Sequence, residues 1–222
     1  EVEDVVVETR PLRRRAMQRA LGELGLELSN AQFAAHCAGV TPEMGARAVL
    51  RAHGRPGDDL DIELVSARAS RAFTSLIASG LSLAPGAADA LRALAETAPL
   101  AIVTRATRRE AVILLELFGL ENIIACVVAA EDAAEPKPSP ALHRVAIARL
   151  ARRRPVAAHR AIALEDGFAG VRAARDAGLR CVFVGGHDAR ASHLADAVVP
   201  SLAGISPATL AVLGQRTEEP VA

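Results

Sequence analysis

The stretch "ALEDGFAGVRAARDAGLRCVFVGG" (residues 163–186) decides how this chain folds. It opens on an apolar run that stops at the acidic pair Glu165-Asp166, passes through Gly167 into an amphipathic helix, and ends after Gly178 in a second apolar run. The runs are apolar at successive rather than alternate positions. Strands of that kind are buried on both faces, and they belong to parallel sheets covered by helices on each side.

The same texture extends in both directions. "PLAIVT" (99–104), "IIACVV" (123–128), "AIALED" (161–166), "RCVFVGG" (180–186) and the weaker "DAVVPS" (196–201) read as short strands. Amphipathic helices at 106–118, 139–151 and 168–177 lie between them, with Gly119 and Gly178 as stop signals. Repetition of strand and helix predicts an α/β core with a central parallel sheet. Residues 11–80 differ, reading as almost pure helix. Pro11 suits a first helical turn, Ser29 with Gln32 makes a capping box, Thr41-Pro42 starts a helix that Gly54 can end, and a longer helix over 58–79 closes at Gly80. The predicted organisation is therefore a core of residues 1–10 and 82–222 carrying an inserted helical module at 11–81.

Composition narrows the function. The chain has 222 residues, 51% of them hydrophobic, enough to bury a sizeable core. With 26 basic and 26 acidic residues the net charge is zero, so no broad basic field exists to hold nucleic acid or anionic lipid, and a small-molecule partner is expected. No apolar stretch approaches the roughly 20 residues that span a bilayer. Cys37, Cys126 and Cys181 form no CxxC pair and sit among apolar neighbours, which predicts reduced, buried thiols in a cytoplasmic protein. Lys137 is the only lysine, every other cationic position being arginine. Either chance left it there, or position 137 needs a compact ammonium that a planar guanidinium does not imitate.

Functional groups in parallel sheets collect where strands end and loops begin. "AIVT" ends on Thr104 and is followed by Arg105; "CVVAAEDAAEPKPSP" carries Glu131, Asp132 and Lys137; "AIALED" ends on Glu165 and Asp166. A hydroxyl, an ammonium and paired carboxylates suit a phosphate and a divalent cation, because Mg²⁺ prefers carboxylate oxygens and lysine supplies a point charge for phosphoryl oxygens. Each also has a structural alternative: Thr104 or Glu165-Asp166 could cap the helix that follows, and Lys137 could be a solvated loop cation.

These residues sit in linked motifs that resemble the haloacid dehalogenase superfamily of aspartate-nucleophile phosphotransferases, in the branch of beta-phosphoglucomutase and phosphoglycolate phosphatase. "ALEDGFAGVRAARDAGLRCVFVGG" is similar to the family's fourth motif, "IVTRA" to the second, "EPKPSP" to the third, and "VETRPLRRRAMQRALGELGLELS" to the passage from the first motif into the helical cap. "ADAVVPSLAGI" is similar to its final strand and helix. The resemblance implies a Rossmannoid α/β core with an inserted all-helical cap of the C1 type, and Mg²⁺ as cofactor. It implies a phosphate-binding role for Thr104, Arg105 and Lys137, and metal ligation by Asp166 with Glu165 nearby. In the cap, "HCAGVTPEMGARAVLRAHG" is similar to the substrate-specificity segment, with His36, Gly39, Glu43 and Arg47 as candidates.

The first motif departs from the family. In the register set by the cap entry, Glu1 takes the place of the nucleophilic Asp and Glu3 that of the acid/base Asp, both also counted toward the metal site. Asp4 and Val5 stand where the family has Gly and Thr. A glutamate's extra methylene moves the carboxylate by about 1 Å, a misplacement that can cost on the order of a hundredfold in rate. This register also puts the central strand upstream of residue 1; the alternative makes "DVVVE" (4–8) that strand, with Arg10 at the acid/base position. Three functions follow: Mg²⁺-dependent hydrolysis of a small phosphorylated metabolite, binding of such a metabolite by a catalytically inactive relative, and a phosphomutase. Dehalogenase chemistry fits least, and the expected assembly is a monomer or homodimer.

Overall fold

The structure is a computed structural model that describes residues 1–55, 58–152, 155–185 and 188–213; the last glycine of "RCVFVGG", Gly186, lies outside the described residues. The chain divides into two units, Glu8–Ser82 and the remainder, Glu1–Val7 with the chain from Leu83 onward. At the ends of the first of these, the Glu8 amide donates to the Ser82 carbonyl at 2.9 Å.

The Glu8–Ser82 unit is helical: α1 (Arg10–Gly22), α2 (Asn30–His36), α3 (Pro42–Ala52) and α4 (Asp59–Ile77). Its boundaries are chemical. Ser29 and Gln32 exchange capping-box hydrogen bonds at α2, Thr41 accepts from the Met44 amide with Pro42 in the first turn of α3, and Asp58 accepts from Asp61 at α4. Met17, Leu21, Phe33, Val49, Leu50 and Val65 pack into its core. Gly39, Gly54 and Gly80 adopt positive φ where helices or their connections turn.

The other unit alternates strands and helices: α5 (Ala87–Ala95), β1 (Leu100–Val103), α6 (Arg108–Leu117), β2 (Ile124–Val128), α7 (Ala141–Ala151), β3 (Ile162–Glu165), α8 (Phe168–Asp176), β4 (Arg180–Val184), α9 (Ala189–Leu194), β5 (Ala197–Val199) and α10 (Pro207–Leu213). All strand pairs are parallel, with Ile102 opposite Val127, Leu164 opposite Val182 and Phe183 opposite Val198. One helix packs Leu142 and Ala146 against Val103 and Val128; another packs Val171 and Ala174 against Cys181 and Phe183. Cys37 and Cys181 are buried thiols whose pKa burial raises, to about 11 for Cys37; Cys126 is partly buried. Among the described residues no helix is long and apolar enough to cross a membrane.

The sheet differs from a continuous one. Its strands form two groups, β1-β2 and β3-β4-β5, with no strand pairing β1 to β3 among the described residues. A cavity of about 1240 Å³ borders both, lined by Leu100–Val103, Ile162–Glu165 and apolar side chains such as Leu91 and Leu210. "DVVVE" does not supply the missing pairing. Asp4, Val5 and Val6 form a turn closed by bonds from the Asp4 amide to the Val7 carbonyl (2.7 Å) and from the Val6 amide to the Val2 carbonyl (3.1 Å). The segment makes only isolated bridges, Glu3 to Val7 and Val7 to Leu83.

Candidate active site

The strand-end residues converge on Lys137. Its side chain is 1% exposed, and its Nζ donates to Glu165 Oε1 and Oε2 (2.8 and 2.9 Å), Glu1 Oε2 (3.1 Å) and the Val103 carbonyl at the end of β1 (3.1 Å). Burial pulls the Lys137 pKa down, but the Glu1 and Glu165 carboxylates outweigh it and hold the ammonium above the ordinary lysine range. Lys137 is therefore a fixed buried charge and not a solvated loop cation.

Glu1 arrives on β3, its N-terminal nitrogen donating to the Leu164 carbonyl at 2.9 Å. Its Oε1 accepts from the Val2 and Glu3 amides (2.9 and 3.3 Å) while Oε2 meets Lys137. Burial opposes this charge, yet Lys137, the chain's amine and Arg105 bring the pKa down to about 2. Three residues on, Asp4 adopts φ 57, the only non-glycine residue at positive φ among the described residues. This is the position where the resemblance expects glycine, and Asp tolerates the left-handed region better than most side chains.

Glu165, the last residue of β3, is buried and accepts from His143 Nε2 (2.8 Å) in addition to Lys137. Burial would raise its pKa, but Lys137, the N-terminal amine and His143 hold it well below the carboxylate range. Asp166 follows with the opposite balance. Burial pushes its pKa up to about 6, Arg105 opposes this, and the like charges of Glu1, Glu165 and Asp4 reinforce it. Neither acid caps α8, whose N-cap Gly167 has no side chain to offer.

Oxygens of Glu1, Glu165 and Asp166 lie within 4.8 Å of one another. Three hard carboxylate oxygens match what Mg²⁺ accepts, so the donor chemistry fits a divalent cation. Glu3 is buried but stands outside that cluster. Thr104, fully buried after β1, accepts from the Ala106 amide at 3.1 Å and retains a hydroxyl proton to donate. It is not the cap of α6; Thr107 and Glu110 form that capping box. Arg105 places its Nε 3.9 Å from Glu1 Oε2 and its Nη2 3.8 Å from Asp166 Oδ1.

Glu131 and Asp132, at the end of β2, do other work. Both Glu131 oxygens accept from the Arg108 amide at 3.1 Å at the start of α6. Asp132 clamps Arg108 and Arg149 and accepts from the Ala129 amide (2.8 Å), with Arg149 chief among the groups that lower its pKa. In the helical unit, His36 ends α2, Gly39 turns at φ 74, Glu43 lies in the first turn of α3, and Arg47 pairs with Asp59 at 3.1 Å, both exposed.

Two residues at the site are not among the candidates named from the sequence, although Gly170 lies within the fourth-motif stretch. His143, 1% exposed on α7, holds Glu165 from behind. Gly170 lets α8 approach: a Cβ built there would lie 1.9 Å from Glu165 Oε2. A lone histidine amid the apolar residues of "ALHRVAIARL" was the available hint for the first.

The geometry thus brings a buried ammonium against carboxylates at the ends of parallel strands, next to an acidic pair backed by a glycine. Residues 2–184 match the model of the haloacid dehalogenase-like hydrolase family, and the chain belongs to that family. More particularly, it is 32% identical over 208 residues to protein CbbY of Cereibacter sphaeroides, covering 89% of this chain and 87% of that protein. The crystal structure of CbbY from Rhodobacter sphaeroides in complex with phosphate superposes with a TM-score of 0.82 at 29% identity, covering 95% of this chain and 96% of that one. A CbbY variant in complex with xylulose-(1,5)bisphosphate gives 0.79 at 29% identity, over 91% and 92%. Beta-phosphoglucomutase from Clostridium difficile gives 0.81 at 16% identity, over 96% and 94%, and shares the fold.

Proposed function

We propose that the chain is a Mg²⁺-dependent phosphohydrolase acting slowly on a small phosphorylated metabolite, with a sugar phosphate the favoured substrate class. The observation that carries this is the Lys137 ammonium set between Glu1 and Glu165, beside Asp166 and Arg105, where three strands end. The phosphate and xylulose bisphosphate bound by CbbY support the substrate class.

In this reading a Glu1 carboxylate oxygen attacks phosphorus, the bond to the leaving oxygen breaks, and Glu3 gives that oxygen its proton. Glu3 then takes a proton from water, whose oxygen attacks the acyl phosphate, releasing phosphate and restoring Glu1. Lys137, Arg105 and the Thr104 hydroxyl balance the charge on the phosphoryl oxygens. Glu1, Asp166 and Glu165 would hold Mg²⁺, which supplies further neutralisation of the phosphate when bound. The helical unit is the proposed cap, with His36, Gly39, Glu43 and Arg47 proposed to select the substrate.

A second reading, binding without turnover, is favoured by the engagement of both Glu1 oxygens: one accepts two backbone amides and the other the Lys137 ammonium. Phosphate release from p-nitrophenyl phosphate and a panel of sugar phosphates, with and without Mg²⁺, separates the two. Turnover that requires Mg²⁺ and disappears in Lys137→Ala and Asp166→Asn supports the enzyme. Absence of turnover in the parent chain, together with its appearance when Glu1→Asp and Glu3→Asp are combined, supports the binder.

A further inference from the structure

The two cations at the site are held in different ways. Lys137 makes four contacts of 2.8–3.1 Å, all at hydrogen-bond distance. Arg105 approaches Glu1 and Asp166 only to 3.9 and 3.8 Å, and its buried Nε has no hydrogen-bond partner among the described residues. Its side chain is nevertheless only 10% exposed. Charge rather than directed hydrogen bonding therefore keeps it there, and a guanidinium does not relieve such burial by losing its proton.

Arg105 also faces two of the three acids that make up the carboxylate cluster, Glu1 and Asp166. We propose that the Arg105 guanidinium is the resident counter-ion of this cluster, so that a divalent cation binds only by displacing it or by tolerating its charge. The inference rests on the reading of the cluster as a divalent-cation site. Removing Arg105 therefore adds one unit of negative charge to what an incoming dication meets at the cluster. Burial lowers the Arg105 pKa, but Glu1, Asp166, Glu3 and Glu165 together raise it above the ordinary arginine value, in keeping with a cation around which acids are gathered. A fixed positive charge beside the site also disfavours a dication through direct repulsion, which a partly buried, low-dielectric setting screens poorly.

The test is a metal titration that needs no turnover. Mn²⁺ binding is followed by loss of the free-ion paramagnetic resonance signal, and Mg²⁺ by competition, at pH 8, where Asp166 with its pKa of about 6 is ionised. Arg105→Gln is expected to bind about tenfold more tightly than the parent chain, and Arg105→Lys, which keeps the charge, to bind as weakly as the parent. If Arg105→Gln does not fold, Arg105→Met makes the same comparison. Equal affinity in parent and neutral variant overturns the counter-ion role and leaves the phosphohydrolase reading standing. Tightening by Arg105→Lys as large as that by Arg105→Gln also overturns it, since bulk rather than charge would then govern. No binding by any variant removes the cation site on which the inference rests. Absence of phosphatase turnover alone leaves the titration readable.

Discussion

Replacing Lys137 with methionine removes the ammonium that is hydrogen-bonded to both Glu1 and Glu165 while keeping most of its volume. Nζ lies 2.8 Å from Glu165 and 3.1 Å from Glu1. At an effective dielectric of about 20, each such pair is worth roughly 5 kcal/mol of Coulomb energy. The cost of burying the ammonium offsets much of that sum. Removal, however, leaves two buried carboxylates without their partner, a change that costs about 3–5 kcal/mol. The loss carries a pH signature. In the parent chain Glu1 and Glu165 have folded pKa values below the ordinary 4.5, so their stabilisation is present above that pH and is lost as pH falls through the folded values. In Lys137→Met the largest charge opposing burial is gone, so the folded values are expected to rise past the ordinary one, and the two acids then destabilise the variant at neutral pH until they protonate. Urea unfolding followed by circular dichroism should therefore show a deficit of about 3–5 kcal/mol at pH 7.5 that shrinks toward pH 5. A deficit under about 1 kcal/mol, or one equal at both pH values, would refute the reasoning.

Gly170→Ala should push Glu165 off Lys137, because the new methyl would stand 1.9 Å from Oε2; a stability loss of about 1–3 kcal/mol by urea unfolding is expected, and a neutral effect would contradict the packing. Mg²⁺ affinity of the parent chain should weaken as pH falls through about 6, since Asp166 has to lose its proton to serve as ligand; a calorimetric titration flat between pH 5 and pH 8 would contradict that assignment. An added apolar strand of about five β-branched residues leading into Glu1 is expected to seat between β1 and β3 and raise the Tm by at least 2–4 °C, the shift that about 1 kcal/mol gives at this size. No change in Tm would mean that the cavity does not accept a strand.

Much of this architecture is legible in the sequence because it follows from local rules. The runs at 99–104, 123–128, 161–166, 180–186 and 196–201 contain the observed strands, and Ser29, Thr41 and Gly80 sit at the helix boundaries that their chemistry favours. Lys137, Glu165 and Asp166 are legible as well, since each ends a strand or opens the loop after one. The difference between Glu165 and Asp166 is not. Two adjacent acids look alike in sequence, yet one meets Lys137 and His143 and stays ionised, while the other meets burial and like charges and titrates near 6. Glu131 and Asp132 mislead for the same reason, as acids at a strand end whose partners, Arg108 and Arg149, come from helices distant in sequence. His143 and Gly170 matter only through what α7 and α8 bring against β3, and pairing of that kind has no local pattern.

The claim common to both functional readings is that Lys137 and the surrounding acids form a phosphate pocket assisted by a divalent cation. Calorimetric titration of inorganic phosphate into the chain at pH 7.5, with and without Mg²⁺ and against Lys137→Met, tests it most directly. Phosphate binding that strengthens with Mg²⁺ and is lost in Lys137→Met is the predicted result. Binding that ignores both, or none in the parent chain, would contradict the account.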